Sequence, residues 1–194
     1  MTLETPPLIL SIQSHVAWGH VGNAAAVFPL QRLGFEVLPV HTVQFSNHTG
    51  YGQFRGQVFG ADHIREIIAG LRERGVLQRV SAVLSGYLGD AGTGAVILDA
   101  VGEIRRENPA VRYLCDPVMG DVGRGVFVNP AIPDFLRDQA MPNANIITPN
   151  QFEFELLTGS KPASVAEAVR TARLLRGRGP DTVVVTSLAT PDIA

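Results

Sequence analysis

Two stretches of the sequence are dense in side chains able to hold a polar small molecule. Residues 13–23 read Gln-Ser-His-Val-Ala-Trp-Gly-His-Val-Gly-Asn, and residues 42–51 read Thr-Val-Gln-Phe-Ser-Asn-His-Thr-Gly-Tyr. Hydroxyl, amide and imidazole groups of this kind suit a polar ligand, and the same residue types also suit ordinary turns. Two carboxylates come later, Asp116 directly before Pro117 and Glu153 three residues after Asn150. Each has a purely structural use as well. An aspartate there commonly caps the following segment, and Asn150 with Glu153 has the spacing of a capping box. The remaining candidates for chemistry are few. Cys115 ends an apolar run and reads as a small core residue, and Lys161, the only lysine, is the only group able to form a Schiff base. His15, His20, His41, His48 and His63 include no i, i+4 pair and no cysteine partner, which disfavours a histidine metal site. His20 and His48 are expected to fix their loops as hydrogen-bond donors.

Composition narrows the classes further. The chain has 194 residues, 45% of them apolar, and a net charge of -2, enough for one hydrophobic core in a single domain spanning residues 1–194. No basic run or Arg-aromatic interleaving suggests a nucleic-acid groove or an anionic membrane surface. The N-terminal residues lack the pattern of a secretory signal, and no segment is apolar over a bilayer's thickness, so a cytoplasmic protein with a small-molecule partner is expected. One cysteine agrees with a reducing compartment. The phosphate-loop pattern G-x-x-x-x-G-K-[ST] is missing, and no G-x-G-x-x-G follows the first strand, which disfavours P-loop kinases and nicotinamide dehydrogenases. The glycine-rich residues 89–94 read as a turn and a helix start.

The elements that must position these residues alternate. Strand-length apolar runs lie at 8–12, 36–40, 82–85, 112–115, 145–147 and 182–186. Such runs are the mark of parallel strands covered on both faces. Between them, Ile64, Ile67, Ile68 and Leu71 follow helical periodicity, with Asp62 as the expected N-cap. A second helix begins near Thr93 and carries Ile97, Val101 and Ile104. Ser164 and Glu167 predict a capping box for a third, burying Val165, Ala168, Val169 and Ala172, and Asn150 and Glu153 predict another. The pattern gives a doubly wound α/β domain, in which ligands gather just past the carboxyl ends of the strands. Both polar stretches fall there.

The two polar stretches closely resemble the vitamin B6 (pyridoxal, pyridoxine, pyridoxamine) kinases of the ribokinase-like superfamily, through Ser14-x-x-x-x-Gly19-x-x-Gly22-Asn23 and Gln44-Phe45-Ser46-Asn47-His48-Thr49. The likeness continues through Ser85-Gly86-Tyr87, residues 115–121 (Cys-Asp-Pro-Val-Met-Gly-Asp) and residues 147–153 (Ile-Thr-Pro-Asn-Gln-Phe-Glu). It implies a three-layer α/β/α sandwich with a mostly parallel central sheet. It implies ATP-dependent phosphorylation of the 5′-hydroxymethyl group of pyridoxal or a close relative, in a homodimer. Ser14 would bond the pyridine end of the substrate with Thr49 nearby, and Val21, Val43, Phe45 and Tyr87 would line the ring pocket. Asp116, Thr148, Glu153 and Thr186 would face ATP. Asp116 and Glu153 would stand beside its Mg²⁺, an ion that takes one or two carboxylates together with phosphate oxygens and water. Asp121 follows on the same loop. Hydroxymethylpyrimidine kinase, in the same superfamily, is the nearest alternative, although residues 44–49 argue against it. A non-catalytic protein that holds pyridoxal or nucleotide without turnover is a rival from another class.

The resemblance also implies a catalytic aspartate in a Gly-x-Gly-Asp segment beyond the strand at 182–186. The sequence contains no such segment, and Gly92-Thr93-Gly94 is followed by Ala95. The expectation is a domain incomplete at its C-terminus and nearly inactive as given. It would lack a base worth ~10²–10⁴ in rate and phosphate-binding donors worth roughly 10²–10³ each. Sustained pyridoxal-dependent ADP release by the 194-residue chain is the measurement that would contradict this.

Overall fold

A computed structural model describes residues 6–192, which form two compact units that divide after Arg112. The first contains β1 (Leu8–Trp18), α1 (Asn23–Arg32), β2 (Glu36–Asn47), β3 (Gly56–Val58), α2 (Ala61–Glu73), β4 (Val80–Ser85) and α3 (Ala91–Glu107). Its strands lie in the order β3-β2-β1-β4, with β1 parallel to β2 and β4 and β3 antiparallel to β2. Leu8, Leu10 and Ile12 of β1, Ile64 and Ile68 of α2 and Ile97, Val101 and Ile104 of α3 are buried. The helical periodicity read from the sequence thus marks the core faces of α2 and α3.

The second unit opens at β5 (Arg112–Cys115). It continues through the hairpin β6 (Gly120–Asp121) and β7 (Gly125–Val126), α4 (Ala131–Phe135), a π-helical turn (Leu136–Ala140) and α5 (Met141–Asn143). Then come β8 (Ile146–Ile147), α6 (Gln151–Thr158), α7 (Val165–Arg176) and β9 (Thr182–Val183). Its strands β5, β8 and β9 pair in that order, all parallel. The mostly parallel α/β class expected from alternation is the class observed. All six expected strands are present, and the short β3, β6 and β7 are additional. Cys115 is a core residue.

Several local expectations need correction. The residues expected to form loops after the first two strands are largely strand, since β1 runs to Trp18 and β2 to Asn47. Helix α2 takes Gly60 as its N-cap, while Asp62 sits in the first turn paired with Arg65. Helix α3 begins at Ala91, two residues before Thr93, because the Asp90 carboxylate accepts the Gly92 N–H. In α7, Val165 and Val169 are exposed, and Ala168 and Leu175 face inward instead. Its cap is one-sided. Ser164 accepts from the Glu167 N–H, but the Glu167 side chain accepts from Ala163 rather than from Ser164.

Helix α6 carries the complete reciprocal cap. Asn150 Oδ1 accepts from the Glu153 N–H at 2.9 Å, and Glu153 Oε2 accepts from the Asn150 N–H at 2.9 Å. The same amide donates from Nδ2 to the Gly120 carbonyl at 2.9 Å, tying the hairpin to the helix. Asn150→Ala removes the cap and this tie together. It should lower stability by about 1–2 kcal/mol, read as a shifted urea midpoint with an unchanged denaturant slope.

Candidate functional site

In the first unit, polar and apolar residues proposed from sequence for the ring site come from neighbouring strands. Val16, Val43 and Phe45 form a buried cluster against which Val21, Ala24 and Tyr87 pack. The four residues proposed from sequence as ring-pocket walls are therefore brought together, joined by Val16 and Ala24. Ser14 is buried, and its hydroxyl makes no hydrogen bond among the described residues. Its position is set by Gly22, which has φ 54°; a Cβ there would lie 2.1 Å from the Ser14 carbonyl oxygen and 2.4 Å from Oγ. Only glycine tolerates both the left-handed backbone and that approach. Thr42 Oγ1 donates to the Tyr87 carbonyl at 2.6 Å, fastening β2 to the segment after β4, and burial pushes the Tyr87 phenol above its usual value.

Thr49 opens a single 3₁₀ turn past β2, half-buried and outside the apolar cluster. His48 does fix this loop, though through its backbone rather than its ring. Its N–H donates to the Trp18 carbonyl at 3.0 Å, and its carbonyl accepts from the Tyr51 N–H at 3.0 Å. His20 is exposed.

In the second unit, three of the four residues proposed to face ATP converge. Asp116 follows β5, Thr148 follows β8, and Thr148 Oγ1 donates to Asp116 Oδ1 at 3.1 Å. Glu153 is 3% exposed. It accepts the Met119 N–H on Oε1 at 3.0 Å and the Asn150 N–H on Oε2. Burial pushes the Asp116 carboxyl up to about 6, against the lowering effect of the Thr148 bond. Burial pushes Glu153 up to about 7, with the Asp116 charge adding to the rise and backbone N–H donors opposing it. Burial is thus the main reason that both carboxyls resist ionisation, and a cation beside them would favour the charged forms. Gly120 leaves room for the packing beneath, since a Cβ there would meet the Gly125 carbonyl oxygen and the Phe152 ring at 2.4 Å each.

Thr186 approaches the same element from another strand. It pairs with Asn150 in an isolated parallel bridge, and its N–H donates to the Pro149 carbonyl at 2.8 Å. Asp121 is exposed and accepts the Val122 N–H within the hairpin. Lys161 lies on the rim of an open cleft with Phe152, Glu155 and Leu156. No helix among the described residues is long and apolar enough to cross a membrane.

The profile of the phosphomethylpyrimidine kinase family matches residues 64–192. The chain belongs to this family. Pyridoxal kinase PdxY of Leifsonia xyli subsp. xyli is 57% identical over 184 residues, covering 95% of this chain and 65% of that protein. Pyridoxal kinase PdxY of Deinococcus radiodurans is 57% identical over 196 residues, covering 99% of this chain and 66% of that protein. The chain thus spans just under two thirds of the length of these relatives. Among solved structures, the pyridoxal kinase from Leishmania donovani in complex with ADP and pyridoxamine superposes with a TM-score of 0.88 at 36% identity. That match covers 94% of this chain and 63% of the other. The fold is the ribokinase-like α/β fold of these kinases, as the sequence resemblance implied.

Sequence reasoning singled out the 13–23 stretch that contains Gln13 and Asn23, but assigned no role to Ser11, Gln13, Asn23 or His41 as a group. Ser11, Gln13, Asn23 and His41 form a connected network of hydrogen bonds. The signal that could have found it is the pair of polar residues, Ser11 and Gln13, inside an otherwise apolar strand.

Raised carboxyl pKa values carry a definite sign for stability. The folded state retains protons on Asp116 and Glu153 that the unfolded chain, at ordinary values of 3.8 and 4.5, has released. Their contribution is intact below about pH 4 and is lost as pH rises through about 6 to 7. Asp116→Asn should therefore gain stability relative to the unsubstituted chain between pH 4 and pH 7. Urea melts of both proteins across that interval check it, and a constant difference would contradict it.

Proposed function

We propose that the chain carries the vitamin pocket and the nucleotide-facing carboxylates of an ATP-dependent kinase that phosphorylates the 5′-hydroxymethyl group of pyridoxal or a close relative. The observation that carries this reading is the Val16, Val43 and Phe45 cluster with Val21 and Tyr87 against it, beside a buried serine whose hydroxyl finds no partner among the described residues. A flat heteroaromatic ring needs apolar and aromatic walls with a few fixed polar contacts. Ser14 is suited to bond the pyridine end, with Thr49 within the next turn of β2. The pyridoxal kinase relatives support the same substrate class.

Asp116 and Glu153 fit Mg²⁺ of an ATP complex. Thr148 bonds only one Asp116 oxygen, and each Glu153 oxygen retains a lone pair beyond its backbone donor. The cation would neutralise charge on the phosphates. Asp116 would face it directly, Glu153 would hold the helix α6 N-terminus and add negative charge, and Thr148 would keep the Asp116 carboxyl oriented. Thr186 would add a polar contact to the nucleotide. Binding of Mg²⁺ with ATP should displace the protons held by the two carboxyls near neutral pH.

The description of the matching family gives a second reading some support, namely that the substrate ring is a hydroxymethylpyrimidine. Equilibrium binding of pyridoxal and of hydroxymethylpyrimidine to the same preparation separates them, and tighter binding of the pyrimidine would overturn the vitamin assignment.

Two substitutions test the division of labour. Asp116→Asn should weaken ATP-Mg²⁺ binding by roughly 10–100-fold, the scale of one charged contact, while leaving pyridoxal binding nearly unchanged. Phe45→Ala, with Phe45→Leu as the milder replacement, should weaken pyridoxal binding about tenfold and spare ATP-Mg²⁺. Equal losses of both ligands in either variant would show a folding defect instead.

A further inference from the structure

The register of β1 against β2 breaks beside the pocket. Gln13 pairs with His41, but His15 pairs with Gln44, so Ser14 stands opposite both Thr42 and Val43. A break of this kind re-aims side chains and leaves backbone groups without ladder partners. The Asn23 side chain, 2% exposed at the start of α1, lies against both strands next to this break. Its Nδ2 donates to the Val40 carbonyl at 3.1 Å and to His41 Nδ1 at 3.0 Å, with longer contacts of 3.4 Å to the Ser11 and Gln13 carbonyls. Its Oδ1 accepts from Ser11 Oγ at 2.7 Å, and Ser11 Oγ in turn accepts from Gln13 Nε2 at 2.9 Å.

We propose that Asn23 is a positioning residue for the vitamin pocket, its carboxamide holding the β1–β2 register break in the form that presents Ser14 and Val43. This role rests on the assignment of those two residues to the pyridoxal site. Three carbonyl oxygens face the nitrogen end of the amide. The reverse orientation would set oxygen against oxygen, so the amide cannot flip. Its orientation then dictates the state of His41, whose Nδ1 must accept and whose proton must lie on Nε2. His15 on β1 faces the same ring, with centroids 4.5 Å apart, and α1 contributes the uncharged Asn23. Burial and His15 both hold His41 below its ordinary value, consistent with a ring kept neutral. Gly22, the residue before Asn23, is the one that touches Ser14, so a shift of Asn23 is transmitted to the serine through one peptide.

The test combines binding with imidazole NMR on the full chain. In the unsubstituted protein, ¹⁵N shifts should show His41 with Nδ1 unprotonated near neutral pH. Asn23→Ala should weaken pyridoxal binding about tenfold or more while changing ATP-Mg²⁺ affinity less than about twofold. Asn23→Asp should raise the His41 pKa, because a carboxylate beside Nδ1 favours the imidazolium, and should make pyridoxal affinity vary with pH across the new titration. A merely structural asparagine would not move that profile. If Asn23→Ala does not fold, Asn23→Asp and the His41 tautomer decide. A protonated Nδ1 in the unsubstituted protein, or undiminished pyridoxal binding by a folded Asn23→Ala, overturns the proposal alone. An unsubstituted chain that fails to bind pyridoxal overturns the pocket assignment and the proposal with it.

Discussion

A polar group withdrawn from water must find a partner, and at two places in this chain a buried side chain supplies hydrogen bonds to the backbone. Beside the register break of β1 and β2, the two N–H groups of Asn23 reach the Val40 carbonyl and His41 Nδ1, with the Ser11 and Gln13 carbonyls at 3.4 Å. Where β5 gives way to the hairpin and β8 to α6, the Glu153 carboxyl and the Asn150 amide take up the N–H and carbonyl groups of Met119, Asn150 and Gly120. Each solution places a buried polar side chain beneath a site. An unpaired buried polar group costs a few kcal/mol, so neither side chain can be lost without rearranging what it supports.

The two solutions differ in electrical character. The network around Asn23 is uncharged, and burial with the neighbouring His15 ring holds its His41 below the ordinary value. The second unit buries two carboxyls whose desolvation raises their proton affinity, against the Thr148 hydroxyl bonded to Asp116 and the backbone donors to Glu153. A neutral, directional site suits an uncharged aromatic alcohol, and an under-compensated acidic one suits a metal-phosphate complex. Under the proposed function, the neutral network would serve the vitamin and the acidic pair the metal-phosphate complex.

Much of this was legible in the sequence because the relevant signals are local. The i, i+3 cap of Asn150 and Glu153, the apolar strand runs and the periodicity of α2 and α3 depend on neighbours within a turn or two. What escaped was set by distant partners. Nothing near Trp18 or Asn47 announces that the strands continue so far, since their pairing depends on each other across residues 18 to 47. Val165 and Val169 have the spacing of a buried stripe, but the face α7 turns inward carries Ala168 and Leu175. The two glycines of the Ser14 motif are visible in sequence, yet the reason for Gly22 becomes visible only when Ser14 is found within 2.4 Å of its missing Cβ.

That contact also governs how the pocket can be altered in the laboratory. Position 22 admits no library, because every side chain would begin inside the Ser14 backbone and on a left-handed residue. On the proposed assignment, Ser14 as polar anchor would be locked from behind, and a campaign to change ligand scope would have to work through the apolar wall. Val21, Val43 and Tyr87 offer different degrees of freedom there. Val43 is completely buried and Thr42 beside it is pinned to the Tyr87 carbonyl, whereas the Tyr87 and Val21 side chains are only half-buried. Diversity introduced at those last two positions can reshape the cavity without disturbing the hydrogen bonds that orient the serine.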